Sequence, residues 1–254
     1  MVACNRGDDK LVVGDNTPVE AIMAAGKKES LAGKGTKAGD YYLEVERLYP
    51  YTPQAEQALI LASQAYHDDG ALVESRIAAQ RYIQFFPGSP NIALAKYLVA
   101  LSYYDGIVDV TRDQARTFEA LKALQLVIDD HPGTQYAKLA EPKFNISLNQ
   151  LAGKEMDIGR YYLARGHYVS AIARFKAVVT EYPENRHQPE AYHRMIETYL
   201  SMGLRNEAEA VYAQFTTFGT SSDWYKRSNQ LLKTGTQPNA GGSFARQLLT
   251  GTWQ

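Results

Sequence analysis

The sequence predicts an all-α protein, a superhelix of five helix pairs closed by one C-terminal capping helix. Three observations predict it. Within Gly159 to Pro183, the residues Tyr162, Gly166, Ala171, Phe175 and Pro183 follow Gly159 at steps of three, four, five, four and eight. The steps of five, four and eight recur at Gly33, Ala38, Tyr42 and Pro50, and again at Gly70, Ser75, Ala79 and Pro87. Tyr199, Gly203, Ala208 and Tyr212 give the frame once more without the final proline. Tyrosine is abundant, with 18 residues, and together with alanine it suits tightly packed helical hairpins.

A frame of this kind is the tetratricopeptide (TPR) pattern, two antiparallel helices whose small residues let them touch and whose aromatics fill the space between. Gly166 takes the left-handed conformation that ends the first helix. Ala171 leaves room for Tyr162 to lean across, and Pro183 stops the second helix because it has no N–H to donate.

In chain order, residues 1–17 read as a tether, polar and turn-rich from Cys4 to Thr17. The first helix runs from Pro18 to Ala32, and its partner follows Gly33 and ends near Pro50. A second pair covers 53–68 and 71–86, and a third opens at Pro90-Asn91 and reaches Gly106. Gly106 to Ala120 is 14 residues instead of five, which places a loop over 107–112 and an early helix start at Asp113. Pro132 to Gly166 is 34 residues where Pro50 to Gly70 is 20, so one helix is lengthened into a rod from Thr134 to Arg165. The last pair covers 187–202 and 205–217. Ser221-Ser222-Asp223 then caps a closing helix to Lys233, with Trp224, Leu231 and Leu232 available to cover the end of the stack. The organisation expected is a tether (1–17), a three-repeat half (18–132), a two-repeat half with a long first helix (133–233) and a flexible tail (234–254).

Composition narrows the function classes. The net charge of −1 gives no global attraction to nucleic acid or to an anionic surface, and no apolar run approaches a membrane span. A single cysteine, Cys4, excludes an internal disulfide and a Cys-based zinc site. Val2-Ala3-Cys4 matches the end of a bacterial lipobox, although the basic and apolar regions of a signal peptide are missing. From the tripeptide, lipidation and an ordinary surface cysteine both remain open.

Enzyme chemistry finds no support. Gly33-Lys34-Gly35-Thr36 looks like the end of a phosphate-binding loop but lacks Ser or Thr directly after the lysine and a strand before it. His187 and His193 are six apart, on different helix faces rather than one metal-binding face. His67-Asp68-Asp69 and Asp129-Asp130-His131 read as solvated helix ends. No nucleophile elbow, zincin helix or dinucleotide fingerprint is present. The reading is therefore no enzyme, no metal and no cofactor, with function carried by the surface of the stack.

Four further segments are specific. Asp15-Asn16-Thr17-Pro18, Arg-Leu-Tyr-Pro-Tyr-Thr-Pro at 47–53, Phe-Phe-Pro-Gly-Ser-Pro-Asn-Ile at 85–92 and His-Pro-Gly-Thr-Gln-Tyr-Ala at 131–137 accompany the lipobox-like cysteine. Together they resemble the BamD family, lipoprotein subunits of the β-barrel assembly machinery of Gram-negative outer membranes, from about Asp15 to Phe215. The resemblance implies a non-catalytic scaffold on the periplasmic face of the outer membrane, held by a lipid on Cys4, which is its only covalent addition. It implies as partners the POTRA domains of BamA, other lipoproteins of the machinery and unfolded outer-membrane proteins. Membrane contact would run through the anchor only, and nucleic acid is not expected. A loop 107–112 shorter than in the best-known members, and a tail after Lys233 without a counterpart, depart from the family pattern. Two alternatives are another periplasmic TPR lipoprotein for cell-envelope assembly or export, and a cytosolic adaptor.

In a TPR stack the first helix of each pair lines the concave face. Counting back from Gly33 gives Glu20, Met23, Lys27 and Ser30 as groove-facing. Counting back from Gly70 gives Gln57, Ile60, Gln64 and His67, and from Gly106 Lys96 and Tyr103. The resemblance implies that this groove takes an extended segment with a terminal aromatic, with Tyr49 and Tyr51 forming an aromatic pocket nearby or packing between repeats. It also implies that Arg165 and Arg174 meet BamA. Phe175 must point into its hairpin, so Arg174 should project outward, where folding gains little from it.

Overall fold

The structure, a computed structural model, describes residues 11–107 and 114–235. Among the described residues there are eleven helices and no strand. They are α1 (Val19–Leu31), α2 (Gly35–Leu48), α3 (Pro53–Asp68), α4 (Leu72–Phe85), α5 (Ile92–Asp105), α6 (Gln114–Asp130), α7 (Gln135–Ala164), α8 (Tyr168–Thr180), α9 (Gln188–Ser201), α10 (Arg205–Phe218) and α11 (Asp223–Thr234). Each lies within a few residues of its expected position. The expected loop 107–112 and helix start at Asp113 fall outside the described residues, apart from Ile107, which is not helical.

The frame residues explain why these hairpins form. Gly33, Gly70, Gly166 and Gly203 all have positive φ, between 70° and 77°, one residue type at one place in four hairpins. A side chain there would be strained, and glycine turns the chain without that cost. Five residues beyond each glycine, Ala38, Ser75, Ala171 and Ala208 are fully buried. Side chains this small let the second helix lie close against the first.

The chain divides into two compact units between Phe144 and Asn145, inside α7. The repeat spacing predicts a division in the turn at 132/133. The first turns of α7 account for the difference, because Ala140 is buried with Tyr97, Leu124 and Val127, and Tyr136 and Phe144 pack against them. Two further clusters complete the first unit. Ile22, Ala38, Tyr42, Val45, Ala62 and Tyr66 join α1, α2 and α3. Leu59, Ile60, Ala79, Tyr82, Ala95 and Leu98 join α3, α4 and α5.

In the second unit, Phe175 of α8 is fully buried against Gly159 of α7, where an added Cβ would stand 2.5 Å from the ring. The unit ends in α11, whose N-terminus is capped by Ser222, the hydroxyl accepting from the Tyr225 N–H at 3.1 Å. Leu232 is buried and Trp224 lies against His193, with ring centres 5.1 Å apart. α11 thus covers the last hairpin with the residues expected of a lid.

The Gly159–Phe175 contact carries a stability prediction. Gly159→Val forces the Phe175 ring aside and should destabilise the second unit by about 1–3 kcal/mol. Phe175→Ala opens a cavity instead and should cost about 3–5 kcal/mol. Urea melts of both variants check this. A double variant less destabilised than the sum of the two single changes is expected, because the valine then fills part of the space the ring leaves.

Candidate functional site

In the first unit α3 touches both α1 and α5, so the first helices of successive hairpins share one face. Most of the expected groove positions lie on that face with accessible surface. Glu20, Lys27, Ser30 and Gln57 are exposed, and Met23, Gln64, His67, Lys96 and Tyr103 are half-buried. Ile60 is a correction. It is buried among Leu59, Ala95 and Leu98, because the packing of α3 against α5 takes its side chain. Several polar groups on the face are also engaged. His67 Nε2 lies 3.0 Å from Asp105 Oδ2, the Lys96 ammonium donates to Asp130 at 2.7 Å, and the Arg76 guanidinium sits 4.4 Å over the Tyr103 ring.

The two tyrosines of the 47–53 turn part company. Tyr49 donates its hydroxyl to the Thr17 carbonyl at 2.7 Å. Tyr51, at φ +61° and 73% exposed, stands edge-on to Phe85 with ring centres 5.6 Å apart. Tyr49 therefore holds the entering chain, and Tyr51 alone offers an open aromatic surface. Tyr41 does a similar job, its hydroxyl donating to the Leu11 carbonyl at 3.1 Å, while Arg47 pairs with Asp15 at 3.7 Å. Residues 11–17, read from sequence as tether, are in fact bound along α2. Cys4 lies outside the described residues.

In the second unit Arg165 is exposed, with its guanidinium 3.6 Å over the Tyr161 ring. Arg174 departs from expectation. It does face outward, with 44% of its side chain exposed, but it donates to Glu155 of α7 at 3.0 Å, and Glu155 is only 8% exposed. The Glu155 carboxylate raises the Arg174 pKa further above its already high value. Folding thus depends on this guanidinium, since removing it would leave a nearly buried carboxylate without its cation. Around the pair is a cleft of about 250 Å³ lined by Ala173, Ala177 and Glu181 as well.

Sequence reasoning missed the ionic groups that tie the helices together. Asp69 accepts from the Thr36 N–H at 2.8 Å and from its hydroxyl, and these bonds hold its carboxyl below the usual range. With His67 and Asp130 also engaged, the two acid–histidine clusters, whose carboxylates are exposed as expected of solvated helix ends, also latch neighbouring helices. Arg160 of α7 grips Glu190 of α9 with two bonds, at 3.0 and 2.6 Å, and Arg194 adds a third at 3.3 Å. The signal was present as (i, i+4) charges on α9, but their partner lies 30 residues away on another helix. Among the described residues no group of three or more His, Cys, Asp or Glu is placed to hold a metal. No described helix is long and apolar enough to cross a membrane.

Two outcomes follow from these environments. Arg174→Glu sets a second carboxylate beside Glu155 and should cost about 1–3 kcal/mol, the solvent on the arginine side screening part of the repulsion. Arg174→Lys should cost less, and paired thermal melts decide it. His193 is buried, which pushes its pKa down to about 3, with Arg194 and Arg227 adding to the effect. Its Nδ1 lies 2.9 Å from Ser228 Oγ, whose own proton goes to the Trp224 carbonyl, so the neutral ring donates. The fold favours the neutral form, and stability falls as pH drops below about 6.5, where the unfolded chain takes up the proton, down towards the folded value. Melting temperature should decline between pH 6.5 and 4.5, and His193→Gln should flatten that decline.

Comparison with known proteins agrees with this architecture. The family model described as "YfiO: Outer membrane lipoprotein" matches residues 15–214. The outer membrane protein assembly factor BamD of Caulobacter vibrioides is 38% identical over 221 residues, covering 87% of this chain and 72% of that protein. BamD of Rickettsia prowazekii is 35% identical over 219 residues, covering 84% and 83%. BamD of Xylella fastidiosa is 28% identical over 239 residues, covering 89% and 80%. A family match over residues 15–214, joined to an all-helical chain of TPR hairpins, places this chain in the YfiO/BamD family of outer-membrane lipoproteins.

Proposed function

We propose that the protein is a non-catalytic assembly factor for outer-membrane proteins, held at the periplasmic face of the outer membrane by a lipid on Cys4. The observation that carries this reading is the family match over residues 15–214, shared with relatives named as assembly factors. The chemistry of the surface supports it. Helix faces that combine exposed amides, lysines and single aromatics suit the capture of polypeptide, and nothing about them requires a cofactor.

Each unit offers a surface for a different partner. On the first, Glu20, Met23, Lys27, Ser30, Gln57, Gln64 and the open ring of Tyr51 receive unfolded outer-membrane protein segments. On the second, the cleft beside Arg174 and the exposed Arg165 receive a POTRA domain of BamA. Other lipoproteins of the machinery complete the assembly.

Arg165 gives the cleaner test, because it is exposed and its fold contacts are local. Arg165→Glu should leave the thermal melt within about 0.5 kcal/mol of the parent, as surface substitutions do. In a titration against the BamA periplasmic domains it should lower affinity about tenfold or more if a partner carboxylate faces it. Unchanged binding would remove Arg165 from the interface. For the anchor, mass spectrometry of the chain from its native membrane should find Cys4 carrying several acyl chains, since one chain alone binds only marginally. An unmodified Cys4 would end the lipid reading. Failure of BamA to co-purify would favour a different envelope TPR lipoprotein.

A further inference from the structure

The bound course of residues 11–17 brings the start of the chain against one end of the first hairpin. There Leu11, Val12 and Val13 run beside α1 and α2 and, with Lys28, Lys34 and Lys37, line a cleft of about 590 Å³. Each acidic residue of the same cleft has a partner, two of them cations and one a neutral hydroxyl. Glu29 pairs with Lys34 at 3.6 Å, Asp40 accepts from the Tyr66 hydroxyl at 2.8 Å, and Glu44 pairs with Arg47 at 2.8 Å. Lys28 and Lys37 are exposed and make no ion pair among the described residues. Two apolar side chains accompany them, Val12 at 86% exposure and Leu31 at 81%, the latter one turn beyond Lys28.

We propose that Val12, Lys28, Leu31 and Lys37 form a docking surface for the anionic headgroups of the bilayer that holds the anchor. The proposal rests on the lipid reading of Cys4. Seven residue steps separate Cys4 from Leu11, and a chain of that length spans at most about 25 Å. Because the Leu11 carbonyl is bonded to Tyr41, that limit applies to the folded hairpin itself. Unmatched lysines act on a charged surface only within about 10 Å, the screening distance at moderate salt, so the anchor supplies proximity and the lysines supply contact. A lipid chain with a second basic or apolar element is the general arrangement for firm membrane attachment. The same residues on a hairpin far from any anchor would be an ordinary solvated end.

The test uses the single cysteine. Cys4 of the full chain is coupled to a maleimide lipid in phosphatidylcholine vesicles prepared with or without phosphatidylglycerol, and lysines are labelled with a water-soluble amine reagent and read by mass spectrometry. Lys28 and Lys37 should be several-fold less reactive on the anionic vesicles than on the neutral ones, with Lys226 and Lys233 of the second unit unchanged. High salt should restore their reactivity. Lys37→Glu, at an exposed position, should restore it at Lys28. Equal labelling on both vesicles, or protection spread equally to Lys226, overturns the proposal. Protection of the same lysines by an added peptide without vesicles overturns it in favour of a peptide site. Acylated native Cys4 with unprotected lysines refutes the docking alone. Protected lysines with an unmodified native Cys4 refute the anchor alone.

Discussion

The close approach of two helices over a residue without a side chain is the constraint on which the α1–α2 and α7–α8 hairpins depend. A Cβ at Gly159 would stand 2.5 Å from the Phe175 ring, and one at Gly26 would stand 2.7 Å from Tyr42. Both pairs are separated by 16 residues, the first-helix glycine opposite the second-helix aromatic. At the same 16-residue spacing in the second hairpin stand Ser63 and Ala79, both fully buried, with a Ser63–Ser75 hydroxyl contact of 3.2 Å. The crossing is thus built in two ways: one residue without a side chain under a large ring, or two small residues with a hydroxyl contact beside them. That is the behaviour of a close-packed interior.

Successive hairpins are joined by a second kind of contact, in which tyrosine has a double role. Tyr66 places its ring over Gly39 and donates its hydroxyl to Asp40 at 2.8 Å. Tyr82 fills the core of α3–α5 and donates to Glu56 at 2.9 Å, an oxygen that also accepts from Ser89 at 2.6 Å. Burial and the acidic partner both raise the Tyr66 pKa, so its proton stays in place. A ring that is apolar along its body and polar at its tip can reach from a repeat core to its edge. The high tyrosine content of the chain follows from this geometry.

Because hydrophobic packing and interhelix latches occupy the interior sides of the helices, the remaining chemistry is outward and local to each unit. The first unit carries mixed polar and apolar surface along α1 and α3, and the unmatched lysines at the hairpin end. The second carries arginines held by neighbours, Arg165 over Tyr161 and Arg174 on Glu155. Residues that serve both fold and surface, such as Arg174, cannot be read as purely functional, and variants that preserve the charge separate the two roles.

The sequence by itself determined the repeat, because its signal is local. The turn glycines, the small residue five positions on and the stopping proline act within one hairpin, and the structure places the helices where those residues predicted. The lid helix was legible for the same reason, from Ser222 and the apolar Trp224 and Leu232. Tertiary structure decided what depends on contacts between hairpins. Ile60 left the groove because α5 packs on it. Residues 11–17 left the tether because Tyr41 and Tyr49, more than 20 positions away, hold their carbonyls. Arg174 gained a structural role because a carboxylate 19 residues earlier lies under it. Helical periodicity tells which way a side chain points from its own axis, but the partner it meets there is set by the neighbouring helix, and only the folded chain supplies that.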